Sequence, residues 1–343
     1  MHGTYTIIRI MMIMSDIPRP KLIASICAIV ALLIFIAVLI ITAPDDYLTG
    51  NKKTTAQETT SSTSIETTTT AAAIVPVSTT IAHIASPSCN AAALYCIDDK
   101  QMIYSDNVNK KIAPASITKL LTASVALKYS KPDKVFTVGS EQALVESGSS
   151  LCGFALGDTL KLSDFITGML MASGNDAAYT IAVSTAREML PEADMTDSEA
   201  VEFFCGLMNV FAKEIGMENS SFVNPDGWDD SEQYTTASDL MKLAEYALTV
   251  PEIKNSAKTL KTDINMISGG VHSWTNSNCL LDPQNKYYCK EAIGLKTGTT
   301  LNAGSSLLAA FNINGKTYVS AVLGCSEDND RYELTTELIE NIR

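Results

Sequence analysis

The chain has 343 residues and a mass of 36.8 kDa; 46% of the residues are apolar and 18% charged, which admits a sizeable core and excludes wholesale disorder. Its 25 Lys and Arg against 38 Asp and Glu leave a net charge of −13, the opposite sign from a nucleic-acid binder, so that class is set aside. Residues 1–87 hold five cations and five anions, and the whole deficit therefore falls on residues 88–343.

Leu22–Ala43 is a run of 22 residues without a charge. As a helix it would span about 33 Å, enough for a hydrocarbon core of about 30 Å. Arg9, Arg19 and Lys21 precede it, and Asp45 and Asp46 follow. That asymmetry predicts a cytoplasmic tail over 1–21, an uncleaved single-pass anchor over 22–43, and the remainder of the chain outside the cell membrane. A cleaved signal peptide is the rival reading, but its apolar region usually runs about 7–15 residues. Ile41-Thr42-Ala43 also makes a poor small-x-small cleavage site. Between Thr49 and Thr80 stand 12 threonines with almost no large apolar side chain. Such a stretch cannot repay its ordering entropy, so residues 44–87 are expected to be a disordered Thr/Ser-rich linker and 88–343 the functional unit.

Within that unit Ala91–Ile97 and Met102–Tyr104 bracket Asp98-Asp99-Lys100 and predict two strands around a turn. After Pro114 the apolar positions Ile117, Leu120, Leu121, Val125 and Leu127 keep a helical period. Helices are further expected over 163–172, 177–190, 199–215 and 237–249. Leu307–Ile313 and Thr317–Leu323 flank Asn314-Gly315-Lys316 and read as a hairpin. An amphipathic segment over 332–342 follows. Strands, a long helical insertion, strands and a helix predict an α/β fold: an antiparallel sheet flanked by helices, with a mostly helical lobe inserted.

Of the eight cysteines, Cys27 falls in the apolar run and seven remain. Cys279 and Cys289 flank a Pro-Asn loop and are a candidate pair, while Cys96 and Cys205 read as small buried hydrophobes. There is no C-x-x-C, and His272 is the one histidine of residues 88–343, so no zinc set, metal or cofactor is expected. The same count, with no G-x-S-x-G present, disfavours a Ser-His-Asp hydrolase.

Three short patterns carry chemistry. With 32 Ser and 20 Lys, S-x-x-K should occur about twice by composition; it occurs once, at Ser116-Ile117-Thr118-Lys119. S-x-N occurs at Ser88, Ser105 and Ser173, and K-T-G, with about 0.1 expected, stands at Lys296-Thr297-Gly298. Context separates them. Ser116 sits where Pro-Ala meets the helical pattern, so the positive end of a helix lies beside its hydroxyl and Lys119 returns to the same face. A lysine becomes a base when burial or a second cation lowers its pKa, and Lys296 is the candidate cation. Ser173-Gly174-Asn175 lies between two predicted helices, where side chains can face a cleft. Ser105-Asp106-Asn107 precedes the serine–lysine pair and reads as a polar turn. Gly298 on a strand edge would let a substrate backbone approach closely.

These motifs, with PASITKLLTA (114–123), MASGNDAAYTIA (171–182), IGMENSSFVNPDGWDD (215–230), YTTASDLMKLA (234–244), WTNSNCLL (274–281) and GLKTGTT (294–300), make the chain resemble the D-alanyl-D-alanine carboxypeptidases, the low-molecular-mass penicillin-binding proteins, over about residues 90–340. The resemblance implies a β-lactamase/transpeptidase-like fold. It implies a serine-type D-Ala-D-Ala carboxypeptidase acting on peptidoglycan stem peptides through an acyl-ester on Ser116, with β-lactam antibiotics as covalent inhibitors. Lys119 would take the nucleophile's proton, Ser173 would relay one to the departing amine, and Asn175 would hold Lys119 and the substrate amide. Lys296, Thr297 and Thr299 would bind the terminal carboxylate, and the N–H groups of Ser116 and Thr299 would form the oxyanion hole. Two departures stand out: Thr299 replaces a histidine common in that position, and the chain stops at Arg343 where many members continue, which puts the expected anchoring at the N-terminal segment. The rival readings are a β-lactamase-like hydrolase and a catalytically silent cell-wall-binding protein on a stalk. The class A β-lactamase pattern E-x-x-x-N does not occur between Ser173 and Lys296, and a binder has no need of Lys119.

Overall fold

The computed structural model describes residues 88–343; the expected anchor over 22–43 and linker over 44–87 lie outside the described residues. In chain order, β1 (Ala91–Cys96) and β2 (Gln101–Asp106) form the first hairpin, and a single 3-10 turn, Ala115–Ile117, leads into α1 (Thr118–Tyr129). β3 (Val135–Thr137) pairs with β4 (Thr159–Lys161). Then come α2 (Leu162–Met171), α3 (Asn175–Met189), α4 (Asp197–Glu214), α5 (Ala237–Thr249) and α6 (Pro251–Lys258). β5 (Lys261–Asn265) and β6 (Val271–Thr275) form a second hairpin. The chain returns to the main sheet with β7 (Ala292–Thr300), β8 (Gly304–Ile313) and β9 (Lys316–Cys325), and α7 (Asp330–Glu340) closes it.

The main sheet is antiparallel in the order β2-β1-β9-β8-β7. β1 pairs with β9 from Ala91↔Leu323 to Cys96↔Tyr318, so the two ends of the folded region meet and the helices are an insertion between them. Alternation along the strands sorts two cores. Ala91, Ala93, Leu308, Ala310, Val319 and Ala321 face the helical lobe, whereas Leu94, Leu307, Ala309, Phe311 and Val322 pack with Tyr332, Leu338 and Ile339 of α7. The β8–β9 loop has two residues, Asn314 (φ 51°) and Gly315 (φ 80°), and positive φ at both is what a type I′ hairpin demands. α1 runs through the middle of the lobe, buried from Thr118 to Ala126. α4 starts at a capping box in which Thr196 and Glu199 satisfy each other's backbone N–H.

The expected architecture is the observed one, with helix ends within a few residues. β3–β6 and α6 were not singled out by the pattern, because short two-strand pairs and an eight-residue helix give little periodicity. The expected cysteine pairing is corrected. Cys279 and Cys289 are free thiols, and the disulfide joins Cys89 to Cys325, 236 residues apart. The β1–β9 ladder causes this: Asn90 N donates to Leu323 O and Ser326 N to Ser88 O, which holds the flanking cysteines side by side. Cys96 and Cys205 are buried, as expected. Among the described residues no helix is long and apolar enough to cross a membrane.

Candidate active site

Ser116 stands on the 3-10 turn just ahead of α1, and the turn is tight: Ala115 is buried with φ 48°, a conformation uncommon for a residue with a Cβ. Lys119, the first-turn residue of α1 on the same face, is fully buried. Its Nζ lies 2.9 Å from Ser116 Oγ, 2.7 Å from Asn175 Oδ1 and 2.6 Å from the main-chain oxygen of Asp226. The last two partners can only accept, so they take two N–H groups. A neutral amine has two, which leaves its lone pair directed at the serine hydroxyl.

Burial is what brings that neutral form within reach, lowering Lys119 to about 8 against the opposing pull of the Asp226, Cys152 and Asp176 side chains. Of the two causes expected from the sequence, burial is the one that acts on Lys119, and a second cation is not among the causes. The repulsion is instead felt at Lys296, which burial first, and then Lys119 and Arg331, press well below the ordinary lysine range.

Ser173 joins α2 to α3 in a left-handed conformation (φ 60°), is buried, and makes no side-chain hydrogen bond among the described residues. Gly174 follows because nothing larger fits: a Cβ there would stand 2.3 Å from Cys152 Sγ and 2.8 Å from Cys152 N. Asn175 opens α3, its Oδ1 on Lys119 and its Nδ2 donating to Ser149 Oγ at 2.8 Å. Asp176, one residue on, accepts from the N–H groups of Cys152 (2.8 Å), Gly153 (2.9 Å) and Phe154 (3.2 Å), fastening the 152–154 segment against the helix start.

The third motif lies on β7, a free edge of the sheet. Lys296 is buried, and its one hydrogen bond among the described residues goes to its neighbour's carbonyl, Thr297 O at 3.2 Å. Thr297 Oγ1 shares a hydrogen bond with Ser277 Oγ at 2.7 Å, and Thr299 is exposed. Gly298 serves a closer neighbour than a substrate. A Cβ on it would come within 3.0 Å of Ala115 Cβ and 3.2 Å of Pro114 O and Ser116 N, so the glycine lets β7 lie against the Ser116 turn itself. The eight residues singled out in the sequence thus sit on three adjoining segments. Ser105-Asp106-Asn107, at the end of β2, takes no part in these contacts.

The sequence profile of the D-alanyl-D-alanine carboxypeptidase family matches residues 78–327. The chain belongs to this family. It is 30% identical to D-alanyl-D-alanine carboxypeptidase DacC of Escherichia coli over 75% of this chain and 62% of that one. Against D-alanyl-D-alanine carboxypeptidase DacF of Bacillus subtilis the figures are 28%, 77% and 63%, so the chain spans less than two thirds of the length of these two relatives. The fold is shared with the crystal structure of the Streptomyces K15 DD-transpeptidase (TM-score 0.68, 24% identity, 76% of this chain and 98% of that one). It is shared too with penicillin-binding protein D2 of Listeria monocytogenes in its ampicillin-bound form (TM-score 0.61, 25% identity, 76% and 99%).

Within this carboxypeptidase-family site, sequence reasoning missed three residues. Asp226 gives Lys119 a carbonyl, while its buried carboxyl, raised by burial, keeps Oδ2 without a partner among the described residues. Gly227 (φ 91°) passes so close to the Ser116 turn that a Cβ would lie 1.8 Å from Ala115 O. Arg331 reaches from α7 to Thr299 Oγ1 (3.1 Å), Gly298 O (3.3 Å) and Ser306 O (3.2 Å), steadied by Asp328 at 2.6 Å. One sequence signal was available for it: an arginine in the first turn of a helix opposes the helix dipole and needs another reason to be there. Asn-Pro-Asp-Gly (224–227) likewise signals a turn but not what the turn touches. An E-x-x-x-N spacing does occur later, at Glu337–Asn341, but there Asn341 Nδ2 donates to Glu337's own carbonyl on α7.

Proposed function

We propose that residues 88–343 are a serine D-alanyl-D-alanine carboxypeptidase that removes the terminal D-alanine of peptidoglycan stem peptides. The observation that carries this is the three-way hold on Lys119, with two acceptors consuming its N–H groups and the third direction facing Ser116 Oγ. Ser116 Oγ gives its proton to Lys119 Nζ and attacks the carbonyl carbon of the penultimate D-alanine. The N–H groups of Ser116 and Thr299 stabilise the oxyanion, each by about 3–4 kcal/mol. Ser173, whose hydroxyl is uncommitted, gives its proton to the departing D-alanine nitrogen and takes in exchange the one Lys119 holds, so that the C–N bond breaks, an ester is left on Ser116 and Lys119 is neutral again. Water, deprotonated by Lys119, then attacks the ester carbonyl, and Lys119 returns that proton to Ser116 Oγ as the C–O bond breaks and frees the shortened peptide.

Lys296, Thr297 and Arg331 hold the leaving residue's carboxylate, and a bound anion would relieve the charge repulsion now pressing on Lys296. β-Lactams follow the first half of this path and stall as esters. The same reading places residues 22–43 in the cell membrane as an N-terminal anchor, 1–21 in the cytoplasm, and 44–87 as a linker that carries the enzyme outward. Its test is to incubate the full chain in detergent with diacetyl-Lys-D-Ala-D-Ala and with a fluorescent penicillin. D-Alanine release and stable labelling, both lost in Ser116→Ala, are expected. Rapid penicillin hydrolysis would turn the reading to a β-lactamase, and neither signal would turn it to a silent wall binder.

A further inference from the structure

Asp226 has two groups at the site, and the reaction path uses only its main-chain oxygen, 2.6 Å from Lys119 Nζ. Covalent geometry then confines its carboxyl oxygens to within about 8 Å of that nitrogen. The position is held from both sides: Thr122 Oγ1 on α1 donates to Pro225 O at 2.6 Å, and Gly227 N donates to Asn224 Oδ1 at 2.9 Å. The carboxyl is buried, Oδ1 accepts from Trp228 N at 3.2 Å, and Oδ2 has no partner among the described residues. A buried carboxylate with a bare oxygen is costly unless a cation stands near, and Lys119 is the cation that acts on this one.

The other titratable groups around the pair leave that relation undisturbed. From α3, Tyr179 faces Asp226 and is pushed by burial above the ordinary tyrosine range; from α4, Cys205 is pushed by burial up to about 12. Cys152, near Lys119, is likewise raised by burial, so all three are neutral where the enzyme works. Asp176 spends its oxygens on the N–H groups of Cys152, Gly153, Phe154 and Ala177. Lys296 on β7 is pressed low by burial first and then by Lys119 and Arg331. Burial lowers Lys119, and of the side chains that pull the other way Asp226 comes first.

Resting on the carboxypeptidase reading, we propose that Asp226 is a positioning residue acting through Lys119: its carboxylate sets the pH at which the lysine becomes the base for Ser116. The negative charge favours the ammonium form, so the free amine is scarcer near neutrality but a stronger base once formed. A unit charge about 8 Å away, in surroundings of effective dielectric about 20, moves a pKa by about 1–2 units.

The test is a stopped-flow profile of acylation by a fluorescent penicillin from pH 5 to 10, on the full chain in detergent and on its Asp226→Asn and Asp226→Ala variants. Both changes remove the charge but differ in shape, so an effect of charge moves both alike. The rising limb should shift about 1–2 units toward acid in each. From a wild-type midpoint of about 8, a shift of one unit raises the share of the plateau rate reached at pH 6.5 about eightfold, while the plateau itself falls. A limb that keeps the wild-type midpoint, or that moves in one variant and not in the other, overturns the inference and leaves the carboxypeptidase reading intact. A carboxyl-13C NMR titration of the wild-type chain requires no variant to fold: Asp226 should be ionised at pH 7, and a protonated carboxyl there overturns the inference as well. Absence of any penicillin labelling of the wild-type chain overturns the carboxypeptidase reading and the role of Asp226 with it.

Discussion

Gly227→Ala is the most informative single change outside the motifs. The added Cβ would lie 1.8 Å from Ala115 O, 2.3 Å from Ala115 C and 3.0 Å from Ser116 N, all backbone atoms that cannot swing aside. The backbone at φ 91° also disfavours any side chain, at roughly 1 kcal/mol or more. Overpacking against rigid neighbours adds about 1–3 kcal/mol, for a total loss of about 2–4 kcal/mol. A domain of this size loses about 2–4 °C of Tm per kcal/mol, which puts the variant roughly 5–15 °C below wild type. Activity should fall further than stability, because the displaced atoms carry Ser116 and the preceding residue's carbonyl holds Lys119. Thermal melting and fluorescent-penicillin labelling below the variant's Tm test both halves. A variant that melts within a degree of wild type and labels at its rate would show that the 226–227 turn does not support the Ser116 turn.

Three further outcomes are expected. Acylation of Ser116 by a β-lactam should rise with pH and level off above about 8, because the base form of Lys119 appears as its lowered pKa is passed; a stopped-flow profile flat from pH 6 to 10 would contradict this. Asp176→Ala leaves three backbone N–H groups of the 152–154 segment without their charged acceptor. It should lower stability by about 1–3 kcal/mol in denaturant titration, with increased hydrogen exchange in that segment. Reduction with a dithiol should cost about 2–5 kcal/mol through loss of Cys89–Cys325, whereas Cys279→Ser should leave Tm, and its sensitivity to reduction, unchanged.

Much of this was legible in the sequence because local signals and the fold agree. The Asn314-Gly315 turn, the helical run after Pro114 and the order of strands around a helical insertion each have a local cause, and each appears where expected. The three motifs could be ranked by context, which kept Ser173 and set Ser105 aside. What escaped was contact across long separations. The Cys89–Cys325 bridge follows from β1 pairing with β9, a tertiary fact that cysteine spacing does not encode. Arg331 arrives from α7 beside Thr299, and Asp226 offers a main-chain oxygen, a group every residue possesses. Gly298 was assigned to substrate approach, whereas the atoms nearest it belong to the chain's own Pro114–Ser116 turn. Burial and a second cation were both expected to lower the Lys119 pKa; burial does so, and the repulsion from the second cation falls on Lys296 instead.

The account stands on Ser116 forming an ester with the help of Lys119, and mass spectrometry reads that bond directly. After brief exposure to a penicillin at pH 8, the intact protein should gain the mass of one antibiotic molecule, and peptide mapping should place it on Ser116. Lys119→Met, which keeps the volume and removes the amine, should gain none on the same timescale. An adduct on any other residue, or a Lys119→Met protein acylated as fast as wild type, would contradict the account.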